Sequence, residues 1–355
     1  KYEVHGLIDI LNRYKFTIEE NTPIEEEVAL DPELLGKVFE NLLASYVDET
    51  KVTARKLTGS FYTPREIVNY MVNESLITFL CNRFSDENVG NKNNDLKDKL
   101  HHLFTYTIED PKFSEEEKDK LIDTIDNCKI LDPACGSGAF PMGILHKLVF
   151  ILGKIDPNNR KWKQKQLEKA KRDKKLAEKM EDDKNRNSTL KEIDKRIEDI
   201  EKAFNQNNHE LDYARKLYLI ENCIYGVDKQ PIAIQISKLR FFIALIVDQK
   251  TENHNEPNRG IRPLPNLETK FVAADTLISI EKPDQYSIIN LDLDEEIRVT
   301  EFEIHKVRDK HFRARTPDTK EKYRLIDQEL RYKLTVLLTK AGFSKDETKK
   351  LADWN

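Results

Sequence analysis

Lys129 to Phe140 reads KILDPACGSGAF. A β-prone apolar run ends on an acid, Asp132, and passes into a turn nearly devoid of side chains. Pro133 fixes the exit from the strand, while Ala134, Gly136, Ser137, Gly138 and Ala139 leave the backbone bare. Such a turn lets main chain approach a ligand closely, and the helix that follows offers unpaired N–H groups at its start. The stretch therefore predicts a buried strand that delivers first a carboxylate and then a backbone loop to a bound molecule.

Two further runs share the design. CIYGVD (223–228) and KFVAAD (270–275) are short, apolar and end in Asp228 and Asp275. Long apolar helices follow the first and second acids, GAFPMGILHKLVFILGK and PIAIQISKLRFFIALIV. Strand, acid, turn and helix in repetition predict an α/β fold whose parallel sheet carries ligand chemistry at the carboxyl ends of its strands.

Phosphate-binding loops do not fit the first turn. A Walker loop needs Gly-Lys-Ser/Thr, but Ala139-Phe140 follows Gly138. A dinucleotide fingerprint needs a third glycine where Pro141 stands, and its pyrophosphate would sit beside Asp132. A carboxylate at the strand tip favours a cationic or hydroxyl-bearing ligand. An ammonium for Asp132, ribose hydroxyls for Asp228 and an exocyclic amine for Asp275 together describe S-adenosylmethionine better than a nicotinamide dinucleotide.

Helices flank this core. DPELLGKVFENLLASYV, from Asp31, spaces Leu34, Leu35, Val38, Phe39, Leu42 and Leu43 along one helix face. In TGSFYTPREIVNYMVNESLITFL (58–80), Thr63 caps a helix with Pro64 at its first position; Val68, Met71, Val72, Leu76 and Phe79 form its buried face. SEEEKDKLIDTI has its own cap in Ser114. A charged insertion at 156–220 reads as an antiparallel helical hairpin turning at 185–188, with a seam of Leu190, Ile193, Ile197, Ile200 and Phe204. Its basic start, KWKQKQLEKAKRDKK, is either a solvated face or an arm for a DNA backbone. The expected organisation is a helical region at 1–58, a ligand-binding core at 59–155 and 221–290, the insertion at 156–220, and a helical segment at 291–355.

Bulk properties narrow the classes. Lysine plus arginine number 59 against 64 acids, a net charge of −5, so no global attraction to nucleic acid exists and any phosphate contact needs a local patch. The four cysteines, Cys81, Cys128, Cys135 and Cys223, form no C-x-x-C pair and no zinc-site spacing. They read as reduced, mostly buried thiols in a cytoplasmic protein, with no metal site. No apolar run approaches a membrane span and no secretory signal opens the chain, so no membrane role is expected.

DPACGSGAF resembles motif I of the amino-methylating DNA methyltransferases, and TGSFYTP resembles their motif X. YGVDKQP is similar to motif II and AADTL to motif III. Motif X ahead of motif I is the order of the gamma-type N6-adenine enzymes, and a leading helical region fits the larger restriction–modification methylases of the type II/IIG kind. The resemblance spans about residues 30–290. It implies a partial Rossmann-like class I S-adenosylmethionine-dependent methyltransferase sheet with an amino-terminal helical domain and large helical insertions. It further implies S-adenosylmethionine as cofactor, and double-stranded DNA as partner through the full-length protein, with a specificity or nuclease module outside this chain.

Carried onto this sequence, the pattern places Asp132 and the backbone of Pro133, Ala134, Gly136 and Gly138 at the methionine end. The Phe61-Tyr62-Thr63-Pro64 turn closes over that end. Asp228 takes the ribose hydroxyls, with Lys229 and Gln230 beside the adenine. Asp275 accepts from the adenine amine, with Thr276 adjacent. The sequence also departs from the family: the Asn/Asp-Pro-Pro-aromatic motif that steers the target amine is absent from these 355 residues, and Asp132 and Asp228 lie unusually far apart. No catalytic residue is therefore expected in this chain. The expectation is an amino-terminal portion of an adenine-N6 DNA methyltransferase, ending before its catalytic strand and inactive alone. The alternatives are a non-catalytic DNA-binding or assembly module on the same scaffold, a small-molecule or RNA methyltransferase, and, most remotely, a nicotinamide oxidoreductase.

Overall fold

The computed structural model describes residues 63–84, 92–105, 112–178, single positions between 186 and 201, 208–249, 261, 264–277, 291–314 and 316–352. The expected helix from Asp31, Phe61, Tyr62 and most of the hairpin's second half lie outside these residues.

Three helices come first: α1 (Arg65–Phe84), α2 (Lys92–Phe104) and α3 (Glu115–Asp126). Then follow β1 (Ile130–Asp132), α4 (Ala139–Ile155), α5 (Arg160–Ala177), α6 (Asn208–Asn222), β2 (Ile224–Asp228), α7 (Pro231–Ile246) and β3 (Phe271–Ala273). Helices α8 (Leu291–Arg313), α9 (Pro317–Lys340) and α10 (Lys345–Ala352) complete the described chain. The three expected strands pair in parallel in the order β1-β2-β3. The fold is mostly helical around this small sheet, compatible with part of a Rossmann-like fold.

Strand order explains where the helices lie. Parallel neighbours need right-handed crossovers, so two successive crossovers in one direction put α4 and α7 on the same face of the sheet. The two helices meet there: a Cβ on Gly138 would lie 2.7 Å from Ser237 Oγ. Phe241 of α7 packs on Phe271 of β3 with centroids 4.6 Å apart. Gly226, mid-way along β2, makes this covering possible, because a Cβ there would meet the Phe271 ring at 2.7 Å and Cys135 Sγ at 2.9 Å. Across the sheet, Leu131 is 60% exposed, while Tyr225, Val227 and Val272 are half-buried.

The core is built mainly by α4, whose Met142, Leu145, Leu148, Ile151 and Leu152 are buried. Helix α1 packs on it through Val68 and Val72 at Gly143. Its buried stripe is Val68, Val72, Leu76, Ile77 and Leu80. Met71, expected in that stripe, is 47% exposed, and Phe79 is only partly buried. The four-residue ladder 68–72–76–80 centres the stripe, and Met71 falls off its edge. The start of α1 also shifts: Pro64 O accepts from Val68 N at 3.0 Å, so Pro64 rather than Thr63 is the cap residue. Ser114 caps α3 as expected, in a capping box with Glu117.

Helix α5 does not stand clear of the core. Trp162 is buried edge-on against Tyr218, and Lys161 and Lys165 pair with Glu115, Asp119 and Asp123 of α3. Its base is locked by Arg215, which donates to Asn159 Oδ1, Asp156 O and Pro157 O. Helices α8 and α9 pack on each other through Ile297, Leu337 and Ala341 and through Asp327, which pairs with both Arg308 and Arg331. They join the core at Phe312 and through Arg313 to Glu221.

Gly226→Ala tests the packing directly. Phe271 is fully buried and cannot yield, so overpacking should cost about 1–3 kcal/mol in urea unfolding. An unchanged midpoint would contradict the arrangement.

Candidate functional site

The register of the sheet brings the three acids together. Asp132 stands opposite Gly226, and Asp228 lies two residues further along β2. Asp228 stands opposite Ala273, and Asp275 lies two residues beyond that. Each strand thus carries its acid two residues past its neighbour's. A step of two preserves the side-chain face within a strand, so Asp132 and Asp228 share the face that α4 and α7 cover, on the order of 8 Å apart, and Asp275 follows just past the end of β3.

Contacts between the tips tie them into one unit. Ala134 N donates to Asp132 Oδ1 at 3.1 Å, which turns the chain sharply after β1. Cys135 N donates to Val227 O at 2.9 Å. Asp228 accepts twice, from Gly136 N at 2.9 Å and from Gln230 N at 2.8 Å, so it braces the β1 loop as well as its own. Thr276 Oγ1 donates to Pro133 O at 3.0 Å, linking the loop after β3 to the loop after β1. Lys229 pairs with Asp275 Oδ2 at 3.0 Å, and Leu277 N donates to the other oxygen at 3.1 Å.

One atom is left over. Asp132 Oδ2 is buried and accepts no hydrogen bond. Burial, first, and the neighbouring charge of Asp228 push this carboxyl above the usual carboxylate range, against the bond from Ala134. A buried acceptor without a donor is costly unless something completes it. The carbonyls around it are already engaged: those of Pro133, Cys135, Gly136 and Ser137 accept from Thr276, Gly138, Ser237 and Arg240. Asp132 Oδ2 is thus the buried acceptor at this edge that no described donor meets. An ammonium group would supply the donor that Asp132 Oδ2 lacks, and the paired oxygens of Asp228 retain lone pairs for hydroxyl donors.

The loop itself needs glycine at Gly138, which caps α4 at φ 88° and faces Ser237. Cys135 is buried and its thiol is pushed up to about 12, first by burial and then by Asp132 and Asp228, so it is packing and not a nucleophile. Asp275 is held below the usual carboxylate range, first by the Lys229 hydrogen bond.

Thr63 and Pro64 make no hydrogen bond to the three acids among the described residues. The basic helix α5 begins beyond the far end of α4, 17 residues or about 25 Å from the glycine turn. Its base is thus remote from the acids, and part of its charge is spent on α3. Ser237 and Arg240 were not singled out from the sequence. The signal was weak: they are two of four polar residues, with Gln235 and Lys238, in a mostly apolar helix.

One of three comparisons finds a relative. The chain is 29% identical over 275 residues to a Methanocaldococcus jannaschii protein named "Putative type II restriction enzyme and methyltransferase". That match covers 77% of this chain and 18% of that protein, so the chain spans under a fifth of the length of the curated relative it matches. No family model and no solved structure matches the chain. Among the described residues, no helix is long and apolar enough to cross a membrane, and no group of three His, Cys, Asp or Glu side chains is arranged to hold a metal ion.

The displaced proton equilibrium of Asp132 gives a signed prediction. Its carboxyl is raised on folding, so the stability it contributes is present below its unfolded value of about 3.9 and is lost as pH rises through the folded value. Asp132→Asn should therefore melt at a higher temperature than the parent at pH 7, with the gap closing towards about pH 4. A variant less stable at pH 7 would show that Asp132 is already satisfied.

Proposed function

We propose that this chain forms the methyl-donor-binding part of an adenine-N6 DNA methyltransferase of a restriction–modification system. The observation that carries the reading is the buried, unpartnered Oδ2 of Asp132 beside Asp228 at the carboxyl edge of a parallel sheet. The M. jannaschii relative, by its name, supports both the methyltransferase and the restriction context.

In this reading Asp132 accepts from the ammonium of S-adenosylmethionine. Asp228 accepts from the ribose hydroxyls with the lone pairs left by Gly136 and Gln230. Asp275 accepts from the adenine amine once Lys229, which is 80% exposed, swings aside. The turn from Phe61 to Pro64 closes over the methionine end. When bound, the sulfonium supplies the methyl group that is transferred in line to the nitrogen of a base flipped out of duplex DNA. The residues of this chain hold and orient the donor; the groups that steer the target amine belong to an Asn/Asp-Pro-Pro-aromatic motif that the 355 residues do not contain. The chain alone is therefore inactive, and recognition of DNA rests on the full-length protein.

Calorimetry on the full-length protein tests this. S-adenosylmethionine should bind at one site and NADH should give no heat. Asp132→Asn should lose about tenfold to a hundredfold in affinity, the worth of a charge-assisted hydrogen bond. Binding of NADH in preference, or equal binding by the variant, would contradict the assignment. Lys229→Met offers the opposite sign: it removes the side chain that competes for Asp275, and since an exposed ion pair is weak, affinity should rise by no more than about fivefold. Lower affinity would mean that Lys229 holds the ligand instead.

A further inference from the structure

Helix α7 does more than cover the sheet. It follows directly from Asp228, and two of its side chains reach back to the glycine turn. Ser237 Oγ donates to Gly136 O at 3.0 Å, and Arg240 Nη1 donates to Ser137 O at 2.9 Å. Both side chains are buried, Ser237 at 0% and Arg240 at 1% exposure. Burying a guanidinium is unfavourable, and the hydrogen bond from Arg240 to Ser137 O offsets part of that cost.

The two bonds act on adjacent carbonyls of the loop. A peptide unit is planar, so holding the carbonyls of Gly136 and Ser137 towards α7 turns the N–H groups of Ser137 and Gly138 the opposite way. It also fixes the path by which the chain enters α4 with Gly138 at positive φ. The donors stand behind the loop, and neither is among the three acids. We propose that Ser237 and Arg240 are positioning residues for the methionine end of the methyl-donor site. They hold the glycine turn against α7 in the shape that keeps Asp132 Oδ2 without a protein donor. This rests on the reading of the site as a methyl-donor cradle.

The positioning acts on one end of the ligand only. Asp228 and Asp275 meet the nucleoside from β2 and β3, whereas the braced loop meets the methionine. Removing a brace should therefore weaken ligands that carry the methionine part and spare those that lack it.

The experiment uses the full-length protein with two probes, S-adenosylhomocysteine and adenosine, titrated by calorimetry into the parent, Arg240→Met, Arg240→Lys and Ser237→Ala. Thermal unfolding of each variant is recorded alongside. Arg240→Met should weaken S-adenosylhomocysteine about tenfold or more and leave adenosine within about twofold. Arg240→Lys, which keeps one donor, should recover most of the loss. Ser237→Ala, which removes few atoms and should remain folded if Arg240→Met does not, should weaken S-adenosylhomocysteine about threefold to tenfold with adenosine again unchanged. Equal weakening of both probes in Ser237→Ala would overturn the proposal, since it would show these side chains support the fold at large. Unchanged affinity for both probes in every variant would overturn it too. A parent protein that binds neither probe would instead remove the methyl-donor reading on which the proposal stands.

Discussion

The structure depends on a stagger of two residues. Because β2 extends two residues past β1, and the chain after β3 reaches two residues past β2, Asp132 and Asp228 keep one face and Asp275 follows them along the sheet edge. A shift of one residue in either pairing would send a carboxylate to the opposite face, where Leu131 lies exposed. Register, and not the mere presence of three acids, turns them into one site. Gly226 secures that register by giving Phe271 and Cys135 a place to pack against the middle strand.

The same constraint accounts for the rigidity of the glycine turn. Four of its carbonyls and the N–H groups of Ala134, Cys135, Gly136 and Gly138 are held by protein donors and acceptors. The loop is thus preorganised, and little ordering remains to oppose ligand entry. Among the described residues, the carboxylate oxygen Asp132 Oδ2 is left without a donor, on a group raised by burial and by a like charge. In the proposed reading affinity and instability have the same source: the carboxylate that would accept a cation is the one that disfavours the fold at neutral pH.

Much of this was readable from residues. KILDPACGSGAF, CIYGVD and KFVAAD each announce strand, acid and turn, because short apolar β-prone runs broken by Asp and Gly have few other uses. The parallel sheet and the following helices appear where those runs place them. Other features depend on contacts that no local pattern encodes. Met71 lies outside its helix stripe because four-residue spacing alone centres the packing on α4. The bracing by Ser237 and Arg240 spans about a hundred residues of sequence, so only their polarity in a mostly apolar helix hinted at it. The double engagement of Asp228 and the Lys229–Asp275 pair likewise arise from loop geometry set by the whole sheet. The charge of α5 was readable, but its pairing with α3 and its distance from the acids were not.

Among the described residues, α5 departs from the far end of α4, and α8 to α10 form their own small core. The account therefore stands on the local arrangement at the sheet edge. A crystal structure of the full-length protein with S-adenosylhomocysteine tests it most directly. The account predicts the ligand's amino nitrogen about 3 Å from Asp132 Oδ2, with the ribose at Asp228 and the adenine towards Asp275. A ligand bound elsewhere, or bound here with its amino group turned away from Asp132, would contradict it.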